Sequence, residues 1–232
     1  MKIPGIIGGI APESTIQYYR LMIAEYRRRI PDGSYPPILI NSIDMKRMLD
    51  AIGAGDLPGV TDYLAGEIGA LGRGGAEFAF FASNTPHIVF DDVRRKTSIP
   101  LLSIVEVACA AAQASGVKRA GLLGTRFTMQ SRFYADVFSR NGIAVAVPDA
   151  EDQEYIHSRY MSELVAGVFL PETRARMVAI AARMRDREKI DGLILGGTEL
   201  PLLLTDDGGL GIPFLDTTRI HAEAAVAHMI AP

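Results

Sequence analysis

The chain repeats its own pattern once along its length, and this restricts its fold more than any other feature. Gly5-Ile6-Ile7-Gly8 returns 116 residues later as Gly121-Leu122-Leu123-Gly124, and the same interval pairs Tyr18 with Tyr134. Ser83 pairs with Gly197 at an interval of 114, and Ile99-Pro100-Leu101-Leu102 with Ile212-Pro213-Phe214-Leu215 at 113. A nearly constant interval across separate blocks predicts two similar domains. Within each half, short apolar strands alternate with helical patterns of ten or more residues, which implies an α/β fold with parallel sheets flanked by helices. The first domain is expected over residues 1–104, completed by the closing helix 217–232, and the second over 105–216. A pseudo-twofold relation between them would place a ligand in the cleft, touched by equivalent strand ends.

The individual elements follow from periodicity. Strands are predicted at 6–9, 36–40, 76–81, 99–102, 120–125, 142–147, 192–195 and 212–217. Helices are predicted at 12–29, 57–71, 86–96, 104–114, 128–139, 152–169, 171–186 and 218–230. Ile16, Tyr19, Leu21, Met22 and Tyr26 are the expected core side of the first helix. Asp56 or Asp62 suits the start of the second, and Thr128 suits the N-cap of the helix that follows the second domain's first strand.

Two stretches carry the chemistry. Ala76–Phe81 is apolar apart from Glu77 and runs into Ser83-Asn84-Thr85-Pro86-His87. Leu193-Ile194-Leu195 runs into Gly196-Gly197-Thr198-Glu199-Leu200-Pro201. Each is a buried-strand pattern that ends in small polar residues before a proline that can open a helix. In an open α/β sheet, ligands bind at the carboxyl ends of strands, and the amides of a helix start suit an anion such as a carboxylate. The Gly8-Gly9 turn suits close approach of backbone to ligand. It is no dinucleotide fingerprint, because the third glycine and the acidic partner are missing.

With 48% apolar residues, 22% charged residues and a formal charge of −3, nothing marks the chain as nucleic-acid binding or membrane-seeking. The basic clusters Arg27-Arg28-Arg29 and Arg94-Arg95-Lys96 fall at predicted helix ends, where cations complement the dipole. Cys109 is the sole cysteine and reads as a buried core residue; a disulfide or zinc site cannot be built from it. No two of the four histidines share metal-ligand spacing with a carboxylate, so no metal is expected. No cofactor is expected either. The chain opens directly into a strand pattern, so a cytoplasmic location is the expectation.

Several motifs in order resemble the aspartate/glutamate racemase family of cofactor-independent amino-acid racemases. They are Gly5-Ile6-Ile7-Gly8-Gly9 with Pro12 and Thr15, Asn84-Thr85 before His87, and Gly121–Thr125 with Thr128-Met129 and Ser131. Phe133-Tyr134, Pro148, Asp152-Gln153, Glu163-Leu164, Leu195-Gly196, Thr198-Glu199-Leu200 and Ile212-Pro213 continue the series over nearly the whole length. The resemblance implies two flavodoxin-like domains, a substrate pocket between them, often a homodimer, and two thiols that work on opposite faces of the substrate α-carbon. Inverting a stereocentre needs an acid or base on each side of the carbanion plane, and a thiol can be tuned to either role. The chain departs from the family at both thiol positions, which fall on Ser83 and Gly197. Ile10-Ala11 also stands where Met-Gly is common.

The resemblance puts the thiol positions at Ser83 and Gly197; His87 and Glu199 are the candidate substitute catalytic groups, with Gly9, Ile10, Asn84, Thr85, Thr125, Thr128 and Thr198 as the candidate substrate-binding set. Ser83 paired with His87 as its base, and Glu199 or Asp44 on the other face, would give a racemase with substitute groups. A one-faced decarboxylase, lyase or isomerase of a related acid is the second reading. A small-carboxylate-binding pseudoenzyme is the third. A small carboxylate or amino acid is the expected ligand throughout. Asp206-Asp207-Gly208-Gly209 reads as a solvated loop.

Overall fold

The computed structural model describes residues 1–231, and the chain divides into two compact units. The first comprises Met1–Ile104 together with the chain from His221 onward. Its sheet joins β1 (Pro4–Gly8), β2 (Leu39–Ser42) and β3 (Phe78–Phe81) in the order β2-β1-β3, all parallel. Because strand residues alternate faces, Ile6, Phe78, Phe80 and Ala82 point to one side. There they form a core with Tyr18, Met22 and Tyr26 of α1 (Pro12–Arg29). Ala222, Ala225, Val226 and Met229 of the closing helix, Thr217–Ile230, belong to the same cluster. On the other side Gly5 lies against Leu71 of the helix Leu57–Arg73, with no room for a side chain between them.

The buried face of α1 is Ser14, Tyr18, Met22, Glu25 and Tyr26. Ile16 and Tyr19, expected in the core, are 43% and 48% exposed. The helix is turned so that Tyr18 can reach inward, where its hydroxyl meets His221 Nδ1 at 2.8 Å. Three further expectations are corrected here. The second strand starts at Leu39, since Pro36 and Pro37 donate no ladder amide. The strand expected over 99–102 shrinks to one parallel bridge between Leu101 and Ala79. The helix expected over 86–96 is a five-residue 3₁₀ turn, Thr85–Val89, followed by a helix Phe90–Lys96. A helix over Met45–Gly53, capped by Asp44, was not anticipated.

The second unit is Val105–Ile220. Its helices before the last strand are Ile104–Ala114, Arg126–Gln130, Phe133–Arg140, Ala150–Ser162, Pro171–Glu188 and Leu200–Leu203. Its strands are β4 (Arg119–Gly124), β5 (Ala144–Ala146), β6 (Gly192–Gly196) and β7 (Phe214–Asp216), parallel and in the order β5-β4-β6-β7. This is the strand order of the first unit with a full strand at its fourth place. The correspondence extends to single bonds: Pro100 O accepts Ala79 N–H at 2.9 Å, and Pro213 O accepts Leu193 N–H at 2.9 Å. Leu123, Leu193 and Leu195 pack on Ile156 and Tyr160 of Ala150–Ser162 and on Met177, Ile180 and Met184 of Pro171–Glu188. The helix expected over 128–139 is broken at Ser131-Arg132, and its first segment is capped by Thr125, not Thr128. The helix expected over 152–169 ends at Ser162, and a 3₁₀ turn Leu164–Ala166 follows. Cys109 is buried in its helix. No helix among the described residues is long and apolar enough to cross a membrane.

Candidate active site

In each unit the neighbouring strands β1 and β3, or β4 and β6, run parallel and end together, and in open α/β sheets ligands bind beyond the carboxyl ends of the strands. In the first unit the ends of β1 and β3 are tied by Ala82 N–H to Ile7 O at 2.9 Å. Gly8-Gly9-Ile10 therefore emerges beside Ser83-Asn84-Thr85. Gly9 has φ +82°, and a Cβ there would stand 2.4 Å from Ile43 O, so only glycine passes. Its N–H donates to Thr15 Oγ1 at 2.8 Å. Ser83, Asn84 and Thr85 are all buried, at 6%, 2% and 6% exposure. Ser14 Oγ donates to the Ala82 carbonyl just before them.

His87 is held by backbone on both ring nitrogens. Its Nδ1 lies 3.2 Å from Asn84 O, and its Nε2 accepts Ile104 N–H at 3.3 Å. A neutral ring with the proton on Nδ1 satisfies both contacts. The ring stacks on Phe90 at 4.6 Å between centroids. Burial, then the nearby charge of His221, hold its pKa down at about 3. The nitrogen able to accept a proton meets the Ile104 N–H, and these backbone contacts tie His87 to its own loop and to the start of the next helix. Asp44 is exposed and accepts Lys46 N–H at 2.9 Å as a helix cap.

In the second unit β4 and β6 end side by side, with Gly124 opposite Gly196. Thr125 and Thr128 are buried there with their hydroxyls 3.2 Å apart. Thr125 also accepts Thr128 N–H at 3.3 Å. After β6 come Gly197, Thr198 and Glu199. Thr198 is 2% exposed and donates its hydroxyl to Glu199 Oε2 at 3.0 Å. Glu199 is 1% exposed, and the same carboxylate oxygen accepts the hydroxyl of Tyr160.

Tyr160 is the residue that the sequence reading missed. A Cβ built on Gly197 would stand 2.4 Å from Tyr160 Cε2 and 2.8 Å from its hydroxyl. The phenol thus fills the space that a side chain at 197 would need. The only sequence signal available was the glycine itself: a buried position that gives up a side chain leaves a volume which something else must fill. Among the described residues no cluster of histidine, cysteine, aspartate and glutamate has the makings of a metal site.

A three-stranded and a four-stranded parallel sheet, each with buried polar residues at its strand ends, define a two-unit α/β protein. Residues 7–225 match the Asp/Glu/hydantoin racemase family, and the chain belongs to it. Over 98% of its length and 98% of the relative's, it is 26% identical to a broad specificity amino-acid racemase, RacX, of Bacillus subtilis (strain 168). It superposes along the full length of both chains on an aspartate racemase homologue from Pyrococcus horikoshii OT3, with a TM-score of 0.85 and 35% identity. A candidate Asp/Glu racemase from Yersinia pestis matches equally completely, at a TM-score of 0.90 and 31% identity.

Proposed function

We propose that this chain acts on a small amino acid or dicarboxylate by cofactor-independent α-proton chemistry. The observation that carries this reading is the presence of buried polar groups after the carboxyl ends of β3, β4 and β6. Within its own unit, each group, Asn84 with Thr85 and Thr125 with Thr128 and Thr198, supplies short hydroxyl and amide groups of the kind that hold a carboxylate. Gly9 and Ile10 follow β1, which pairs with the strand that leads into Asn84 and Thr85. Hydrogen bonds preorganised at the substrate carboxylate stabilise the enediolate charge that develops when the α-proton leaves. Ser83 follows β3 in the first unit and Gly197 follows β6 in the second, the two positions at which the family resemblance puts the thiols. The family's racemases and the likeness to RacX support an isomerase, and we extend the proposal to a cytoplasmic homodimer. Light scattering at twice the chain mass is the expected outcome for the assembly.

The deciding experiment is proton NMR of aspartate and of glutamate in heavy water with the purified protein, with chirality read on the same samples. Loss of the α-proton signal together with inversion is the expected result. If neither acid exchanges its α-proton, the reading falls.

A further inference from the structure

Residue 197 offers no side chain, yet the face of the site it borders is not empty. Tyr160 projects from the helix Ala150–Ser162 across the end of β6, and its hydroxyl stands 2.8 Å from where the Cβ of residue 197 would be. The hydroxyl donates to Glu199 Oε2, which Thr198 Oγ1 also approaches at 3.0 Å. Tyr160 is 5% exposed and Glu199 1%. A tyrosine packed over a glycine is ordinary core geometry. A buried carboxylate holding that tyrosine's hydroxyl, at the strand end where the site is read, is the arrangement that activates a weak acid–base group through an adjacent base.

We propose that Tyr160 supplies the proton-transfer group that residue 197 lacks, with Glu199 behind it as the positioning residue that receives and returns the phenol proton. This inference rests on the α-proton chemistry proposed above. In the abstraction step the substrate Cα–H bond breaks and its electron pair passes into the substrate carboxylate. The proton bonds to Tyr160 Oη, while the phenol's own proton moves along the existing hydrogen bond to Glu199. When the reaction runs in the opposite sense, with the α-proton lost from the other face, Oη gives its proton to Cα and takes one back from Glu199. The tyrosine stays a neutral phenol before and after each transfer. That matters at this position, because burial, with the Glu199 charge as the next cause, pushes the phenol well above the usual range for tyrosine. A free phenolate is therefore not available as a resting base, and coupling to the carboxylate supplies the alternative.

Tyr160→Phe keeps the ring over Gly197 and removes only the hydroxyl. The readout is α-proton exchange of aspartate and glutamate in heavy water, with binding of the same acids by calorimetry and the melting temperature measured alongside. The expected result is a fall in exchange of at least about 100-fold, the scale of a lost general acid–base group, with binding retained. Glu199→Gln should also slow exchange and change the pH profile of what remains, which a merely structural role would not do. Exchange at the wild-type rate in Tyr160→Phe overturns this inference and leaves the proposed function standing. Absence of exchange in the wild type overturns both. Should Tyr160→Phe not fold, unchanged rate and pH profile in Glu199→Gln overturns the inference by itself.

Discussion

At the scale of single residues, Gly197 and Tyr160 are one structural unit divided between a strand end and a helix. Any side chain at 197 meets the tyrosine ring at distances that real Cβ atoms do not adopt, so Gly197→Ala forces the ring or the strand to move. Overpacking of this kind costs about 1–3 kcal/mol. Urea denaturation of Gly197→Ala, Tyr160→Leu and the double variant forms a cycle. The double should be less destabilised than the sum of the singles, because the smaller leucine relieves the clash. Additive costs would show that the two positions do not share the space. The same pair shows where sequence reading stops. Ser83, Asn84, Thr85 and Thr198 were legible because they follow apolar strand patterns in both halves of the repeat. Tyr160 was not, since it lies 39 residues from the carboxylate it binds and sits in an ordinary amphipathic helix. The backbone contacts of His87 were not legible either. That residue follows the strand-end motif closely, yet its ring turns to the backbone of its own loop.

At the scale of elements, the closing helix Thr217–Ile230 completes the core of the first unit from the far end of the chain. Met229 is fully buried in a cluster with Tyr18, Met22, Phe78 and Phe80, and its carbonyl accepts Lys2 N–H at 2.8 Å. Met229→Ala should cost about 2–5 kcal/mol, the usual range for a buried large-to-small change. Chemical denaturation followed by circular dichroism checks it; a loss below 1 kcal/mol would mean that the helix packs loosely on the sheet. Long elements with strong periods, such as Pro12–Arg29 and Pro171–Glu188, were readable almost to their ends. The helix Met45–Gly53 was not, because at 9 residues its apolar contribution reduces to Met48 and Ile52, one turn apart, between a cap and two glycines. The phase of the first helix also escaped. Ile16 and Tyr19 are as apolar as the residues that won, and the polar partner His221 that fixes Tyr18 inward is supplied by the last helix.

At the scale of the whole molecule, His87 and His221 give stability a definite pH dependence. Both rings are buried and neutral. His221 accepts the Tyr18 hydroxyl at Nδ1 and donates from Nε2 to Leu102 O at 3.3 Å, so a second proton would oppose the tyrosine donor. Burial holds each pKa at about 3, against 6.5 for an unperturbed histidine. Between those values the unfolded chain binds protons that the folded chain refuses. The stabilisation is therefore complete above pH 6.5 and declines as pH falls toward 3. Each histidine removes up to about 1.4 kcal/mol per pH unit within that window. Glu25, held down to about 2 first by its hydrogen bond to Arg28 and also by Arg29, adds its own loss only below its ordinary value of 4.5. Denaturation midpoints measured from pH 7.5 to 5 thus isolate the histidines from the carboxylates. The expected outcome is a falling midpoint below pH 6.5 that becomes shallower in His87→Gln. An amide cannot gain a proton but can replace the imidazole's two backbone contacts. A midpoint that stays flat from pH 7 to 5 would mean that both rings take up protons in the folded state, and so are less buried than this packing requires.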